Sequence, residues 1–373
     1  MRLLALLISD FRNLARIELR PSPHATIAVG QNGQGKTNLL EAIYFLGTLK
    51  PLRAAKLAQL VRFGTSRARI SGRFLLRGAE REIAVEIGDR SRQALVDGKK
   101  AASLEEYFGG VSLVSFTPDD LVVVKGGPDA RRAFVDRAVF NRFPAFLQET
   151  RVYSRALKSR NRLLKERADP SYLSVYDETL ARLGARIWLR RKALLAEIAP
   201  RAQAAFLQIG RIDERADYAY APSHLELGSA QPSEAAMHEL LALALRDRTA
   251  RDLDRGFTSV GPHMDDLEIS TGGRAAKNYA SQGQQRALVL AWKIAEIENL
   301  HQALGYLPLL LLDDVSSELD RERNSYLMTY LARSGAQVFL TTTAQELVAE
   351  AAASDSLWCE MWAGQLQLLA AAG

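Results

Sequence analysis

An α/β nucleotide fold, split by an inserted and mainly α-helical segment, is what this 373-residue chain predicts, on three observations. Gly30-Gln-Asn-Gly-Gln-Gly-Lys36-Thr37 fits G-x-x-x-x-G-K-[ST], lying between the apolar run Ala25 to Val29 and the helical pattern Asn38-Leu-Leu-Glu-Ala-Ile-Tyr-Phe. Leu309-Leu-Leu-Leu-Asp313-Asp314 is a continuous apolar run ending in two acids, as when a central parallel strand delivers carboxylates to the carboxyl edge of a sheet. Between them, residues 129 to about 208 lose strand alternation and take helical spacing.

The elements follow in order. Up to about Lys125 the pattern is short strands around one helix: Leu3 to Ile8, Ala15 to Leu19, Thr26 to Val29, Ala68 to Leu75, Glu82 to Ile87 and Gln93 to Val96, with Asp97-Gly98 as a hairpin turn. After Gly126-Gly127-Pro128 the helical arm begins, with Phe134 and Ala138, then Val152, Leu157, Asn161 and Leu164 on helical spacing; Pro144, Pro170 and Pro200 are expected to punctuate it. Residues 211 to 255 suggest a strand near Tyr218 to Ala221 and a helix from Ser233 to Leu245. The α/β pattern returns at about Gly256, with a helix from Gln284 to Leu300 and buried strands at Leu309 to Leu312 and Gln337 to Leu340. The expected division is therefore a nucleotide head from 1–125 and 256–373, with an inserted arm at 126–255.

The first motif is a phosphate-binding loop. Glycines at 30, 33 and 35 let backbone N–H groups turn onto phosphate oxygens, and the following helix offers its positive end to the same charge. A nucleoside triphosphate is the expected ligand of Gly30, Gln31, Asn32, Gly33, Gln34, Gly35, Lys36, Thr37 and Asn38, with Lys36 on the β/γ-phosphates and Thr37 on Mg²⁺. A strand ending in two acids also describes a surface turn or a helix cap, but beside such a loop it reads as metal and water chemistry. Asp313 would hold Mg²⁺ through water, and Asp314 would orient or deprotonate the attacking water. Ser281-Gln282-Gly283-Gln284-Gln285 places a hydroxyl and free N–H groups at a helix start, which alone fits an ordinary cap.

Composition narrows the partners. With 47% hydrophobic and 25% charged residues the chain is globular. One cysteine, Cys359, makes neither an intrachain disulfide nor a cysteine-based zinc site, which points to a reducing compartment, the cytoplasm in the simplest reading. No run of about 18 apolar residues exists, so neither a transmembrane helix nor a membrane partner is expected. Residues 49 to 92 carry +7 and residues 131 to 167 carry +8, against +6 for the whole chain. Positive charge so concentrated suggests a polyanion, nucleic acid above all, although a solvated basic helix face fits the same count.

The order of the motifs, with Ser281 ahead of a strand ending in two acids and then Ser316-Ser-Glu-Leu-Asp320, is the layout of ABC-type ATPase heads. The whole chain resembles the RecF family, bacterial recombination-mediator ATPases related to the chromosome-maintenance and break-repair ATPases of that class. The resemblance rests on Asp10-Phe-Arg-Asn13, Gly30 to Ile43, Phe116-Thr-Pro-Asp-Asp-Leu121, Lys125-Gly-Gly-Pro-Asp-Ala-Arg-Arg132, Gly261-Pro-His, Tyr279-Ala-Ser-Gln-Gly-Gln-Gln-Arg286, Leu310 to Asp320 and Val338-Phe-Leu-Thr-Thr-Thr343. Met264 departs from it, standing where an arginine is expected.

The resemblance implies an ABC-type head with mixed sheets in two lobes and an ATP-dependent homodimer, in which Ser281, Gln282, Gly283 and Gln284 of one subunit close over the ATP of the other. It implies slow hydrolysis, a phosphate contact for Arg12, and roles for Ser317, Asp320 and Thr343 in the segments that follow the acids. It also implies binding of single- and double-stranded DNA, gapped or junction duplex above all, with RecR as partner and RecA loading downstream. Candidate DNA contacts are Arg53, Lys56, Arg131, Arg132, Arg155, Lys158 and Arg160, with Arg131 and Arg132 equally suited to bracing the insertion. A transporter subunit would put a histidine near Thr343, and a nuclease relative would need acids such as Asp265, Asp266 and Glu268 for metal.

Overall fold

The computed structural model describes residues 1–53, 55–210, 214–223 and 233–369. The first segment holds strands β1 (Arg2–Phe11), β2 (Leu14–Leu19) and β3 (Ala25–Val29), helix α1 (Lys36–Thr48), strands β4 (Arg67–Leu76), β5 (Ala79–Gly88), β6 (Arg92–Val96) and β7 (Lys99–Lys100), helix α2 (Leu104–Phe108), strand β8 (Leu113–Phe116) and helix α3 (Pro118–Leu121). Helices α4 (Pro128–Arg142), α5 (Phe146–Lys165) and α6 (Ser174–Gly210) follow, then β9 (Ala216–Ala221), α7 (Glu234–Asp247), α8 (Thr249–Arg255), β10 (Asp266–Thr271), β11 (Arg274–Ala275), α9 (Ala276–Tyr279) and α10 (Gln282–Leu304). The chain closes with β12 (Leu309–Asp313), α11 (Arg321–Ser334), β13 (Val338–Thr342), β14 (Leu357–Trp362) and β15 (Gln365–Leu368).

Two compact units result, Met1–Leu121 with Gln208–Arg211 and Lys293–Gly373, and Val122–Leu207 with Ile212–Trp292. Residues 256–292, placed with the head by the sequence pattern, pack in the second unit with the helical segment.

The first unit contains two six-stranded sheets. One is antiparallel in the order β2-β1-β4-β5-β6-β7. The other runs β15-β14-β3-β13-β12-β8 and is parallel except for β15. Helix α1 contacts both sheets, which is why it is apolar nearly all round, from Leu39 to Leu46. A strand such as β12, buried at every position, has no solvent face to alternate toward and so reads as an unbroken apolar run. At the carboxyl ends of β3, β13 and β12, neighbours in that order, lie the loop from Gly30, Thr341 to Thr343, and the acid pair.

The second unit packs helices α4 to α8 with the three-stranded sheet β11-β10-β9. Pro200 corrects one expectation, since it lies inside the 37-residue helix α6. Ile198, Ala202, Ala205 and Phe206 are buried around it, and packing of that stripe outweighs the lost N–H donor. The strand and helix expected between 211 and 255 form as β9 and α7.

Candidate nucleotide-binding site

The loop from Gly30 to Gly35 is held open by backbone geometry that only glycine tolerates. At Gly30 (φ 156°) a Cβ would come within 2.5 Å of the Met361 carbonyl oxygen, and at Gly35 (φ 110°) within 2.9 Å of Asn13 Oδ1. The loop is anchored from its flanks: Gln34 Oε1 accepts from the Ala363 N–H at 2.7 Å, and Asn38 Nδ2 donates to Asn13 Oδ1 at 2.8 Å. Asn32, Gly33 and Gln34 themselves face solvent or lie half-buried.

Lys36 is buried, and its ammonium donates to the carbonyls of Gly30 (2.5 Å) and Gln31 (2.9 Å). Burial lowers its pKa, while the charges of Asp314 and Asp313 act the other way. Thr37 Oγ1 donates to Asp313 Oδ1 at 2.8 Å, and Thr341 Oγ1 donates to the same oxygen at 2.9 Å. The Asp314 N–H donates to Thr341 Oγ1 at 3.0 Å, so one buried threonine fixes both acids.

Asp314 sits at φ 49° in the left-handed region, just past the end of β12. Its carboxyl is pushed above the ordinary range, first by burial, with Asp313 reinforcing and Lys36, Ser317 and the Thr343 amide opposing. Its Oδ1 is buried and has no hydrogen-bond partner among the described residues. Such an orphan acceptor facing a lysine, a hydroxyl and a second carboxylate suits a water or cation, so the donor set fits Mg²⁺ and a triphosphate. Asn32, Gly33, Lys36, Thr37, Arg53 and Asp314 are among the residues lining the small cavity here.

Arg12, at φ 54° in the turn between β1 and β2, makes a two-pronged ion pair with Glu41 at 2.8 and 3.1 Å and donates to the Gln59 carbonyl at 3.0 Å. Glu41 is fully buried and also takes the Arg53 N–H at 3.4 Å. Ser317 donates to the Asp314 carbonyl at 2.8 Å, and Asp320 caps α11 by accepting from the Arg323 N–H. Thr343 is exposed and meets Asp314 through its backbone alone.

In the second unit Ser281 opens α10 with a reciprocal capping box. Its Oγ accepts from the Gln284 N–H at 3.2 Å, and its own N–H donates to Gln284 Oε1 at 2.8 Å. Ser281 and Gln282 are exposed, with Gly283 and Gln284 half-buried behind them.

The basic candidates separate by burial. Arg160 is corrected, because it is fully buried and bound to Asp177 (2.6 Å), Asp252 (2.8 Å) and Thr258 (2.9 Å). Arg131 is buried in an ion pair with Asp266 at 2.6 Å, and Arg132 binds the Asp265 carbonyl and Asp129; both brace the second unit. Arg53 belongs to the nucleotide cavity. Lys56, Arg155 and Lys158 are exposed, the last two on a face of α5 shared with Arg151, Arg162 and Lys165. That five-residue stripe, at alternating spacings of four and three, went unnoticed in the sequence, although the spacing is its signal.

Two of the acids weighed for nuclease chemistry, Asp265 and Asp266, serve the fold, and Glu268 is exposed. Asp265 accepts from Trp188 Nε1 (2.6 Å), the Ser223 N–H (2.8 Å) and the Tyr220 hydroxyl, and Asp266 pairs with Arg131. Among the described residues no cluster of His, Cys, Asp and Glu is arranged to hold a metal, and no helix is long and apolar enough to cross a membrane.

A phosphate loop and an acid pair at the ends of parallel strands on either side of β13, in a chain that also presents a serine-led helix start, define an ABC-type ATPase head. Residues 2–359 match the family model of the RecF/RecN/SMC N-terminal domain. A relative from Myxococcus xanthus, the DNA replication and repair protein RecF, is 67% identical over 99% of this chain and 98% of its own length. The solved structure of the recombination mediator protein RecF-ATPrS in the RecFOR pathway is 30% identical, with a TM-score of 0.89 over 99% of this chain and 98% of the other; that of RecF-ATP gives 0.85 over 99% of both. The chain belongs to the RecF family of DNA replication and repair proteins.

Proposed function

We propose that this protein is an ATP-dependent DNA-binding ATPase of recombinational repair that works as a homodimer. Each nucleotide is gripped by the loop of one copy and sealed by Ser281 to Gln284 of the other. The observation that carries the reading is the convergence of Lys36, Thr37 and Asp314 on one cavity, with Asp313 bonded to Thr37 and Thr341 fixing both acids. The solvent-facing hydroxyl and helix start at Ser281 support a sealing role in trans.

Lys36 leaves the Gly30 and Gln31 carbonyls to meet the β/γ-phosphates, its charge favoured there by the two acids. Thr37 and Asp313 would hold Mg²⁺, which when bound offsets phosphate charge. Asp314 accepts a proton from the attacking water, and its raised pKa strengthens it as a base near neutrality. The Thr343 amide faces that carboxylate and Ser317 holds the Asp314 carbonyl, and loss of the γ-phosphate removes the charge on which dimer affinity depends.

DNA phosphates meet Lys56 and the stripe on α5, without base readout. Likeness to RecF structures from the RecFOR pathway supports RecR as partner; in this reading the substrate is gapped or junction DNA and the outcome is RecA loading on single strands. The single buried cysteine accords with a cytoplasmic setting. Sedimentation with and without ATP tests the reading: ATP should convert monomer to dimer in the wild type and not in Lys36→Ala, and an ATP-induced dimer of the variant would contradict it.

A further inference from the structure

Trp362, the last residue of β14, is 62% exposed. Ala363 and Gly364, both in the left-handed region (φ 47° and 79°), turn the chain into β15, where Gln365 pairs back to Trp362. The turn is fixed to the phosphate loop: the Ala363 N–H donates to Gln34 Oε1 at 2.7 Å and the Gly364 N–H to the Gln34 carbonyl at 2.9 Å. Upstream of the turn, β14 runs in parallel register with β3, the strand that leads into the loop, as far as Glu360 beside Val29. A large ring held rigidly in water forgoes burial, and that fits a surface whose partner arrives from outside.

The charge around the ring says what the partner is. From Ser334 to Gly373 there are four acids, Glu346, Glu350, Asp355 and Glu360, and no Lys or Arg. Nucleic acid would meet only like charge there. Glu360 is exposed and lies two positions before the ring, on the same face of β14. The same chain carries the complement. Between Gly272 and Gln282, the approach to Ser281, stand Arg274 and Lys277 and no acid, and every residue but Ala276 and Ala280 is exposed. Glu214 borders this segment, its carboxylate already taken by Thr271 (3.0 Å) and Gln284 (3.2 Å). Arg274 lies over the ring of Tyr279, which is itself 66% exposed. Arginine and aromatic rings on surfaces of opposite charge are what protein contacts favour.

We propose that the β14–β15 turn is a second contact of the ATP-dependent dimer, Trp362 and Glu360 of one copy taking Arg274 and Tyr279 of the other; this rests on the dimer reading given above. The ring is joined to the phosphate loop through Gln34, so a copy whose Ser281 reaches that loop brings the residues just before it to Trp362.

Sedimentation with ATP, read beside tryptophan emission, tests it. ATP should shift the wild-type emission to the blue and not that of Trp362→Phe, because Trp188 and Trp292 are buried from the outset. Trp362→Ala and Arg274→Ala should each weaken the ATP dimer about tenfold, and the double variant by well under about a hundredfold, since both remove one contact. In the Ser281→Arg background, which stays monomeric, Trp362→Ala should leave ATP affinity unchanged. A dimer unaffected by Trp362→Ala overturns the proposal, and so do losses that simply multiply in the double variant. A fall in ATP affinity in that monomeric background overturns it too, and would put the ring on the nucleotide. If the wild type does not dimerise with ATP at all, the dimer reading fails first, and this inference falls with it.

Discussion

Thr37 Oγ1 donates a 2.8 Å hydrogen bond to Asp313 Oδ1, joining the first residues of α1 to the last residue of β12 across 276 positions of sequence. The two atoms that would share a metal ion are thus already paired. Asp313→Asn should reduce Mg²⁺-dependent ATP affinity by about tenfold to a hundredfold, as loss of a metal-orienting carboxylate does. Titration calorimetry with and without Mg²⁺ checks this, with metal-independent binding expected to change little.

Asp314→Asn should leave ATP binding and dimerisation intact and slow turnover by about a hundredfold or more. Phosphate release measured beside sedimentation separates the two effects. Unchanged turnover would remove Asp314 from the water-handling role and leave its orphaned oxygen unexplained.

The basic residues of α5 should behave in opposite ways. Arg160→Ala strands the buried Asp252, a loss of about 3–5 kcal/mol readable by urea denaturation. Arg155→Ala and Lys158→Ala should change stability by less than about 0.5 kcal/mol, and each should reduce the salt slope of DNA binding by about 0.9.

His263 gives the pH dependence. Its Nε2 faces the Thr258 carbonyl at 3.0 Å, which can only accept, so the neutral ring carries its proton there and accepts from Tyr153 at Nδ1, 2.8 Å away. Burial lowers its pKa from 6.5 to about 4. Between those values the unfolded chain binds the extra proton and the native one does not, so stability rises with pH across that window and is lost as pH falls. Thermal unfolding should show an acid loss of about 1–3 kcal/mol that is absent in His263→Gln.

The nucleotide half of the site was legible because its chemistry is local. The glycine spacing, the lysine and the apolar run before Asp313 are continuous in sequence and mean the same thing in the fold. What escaped depends on distant partners. Thr341 reads as one threonine of three, and only pairing of β13 beside β12 makes it the residue that fixes both acids. Glu41 did carry a signal, a lone charge within Leu39-Leu-Glu-Ala-Ile43, but its partner Arg12 is 29 positions away. Arg160 looked like its exposed neighbours because counting charge cannot tell an inward helix position from an outward one. Pro200 misled for a related reason, since tertiary burial of α6 overrode a local breaker.

One mixing experiment bears most directly on the central claim that two copies share each nucleotide. Lys36→Ala lacks a working loop, and Ser281→Arg lacks a working seal. Neither should dimerise with ATP alone, whereas an equimolar mixture should regain an ATP-dependent heterodimer, because one intact loop then faces one intact seal. Wild-type ATP-dependent assembly by Ser281→Arg alone, or no recovery on mixing, would contradict the account.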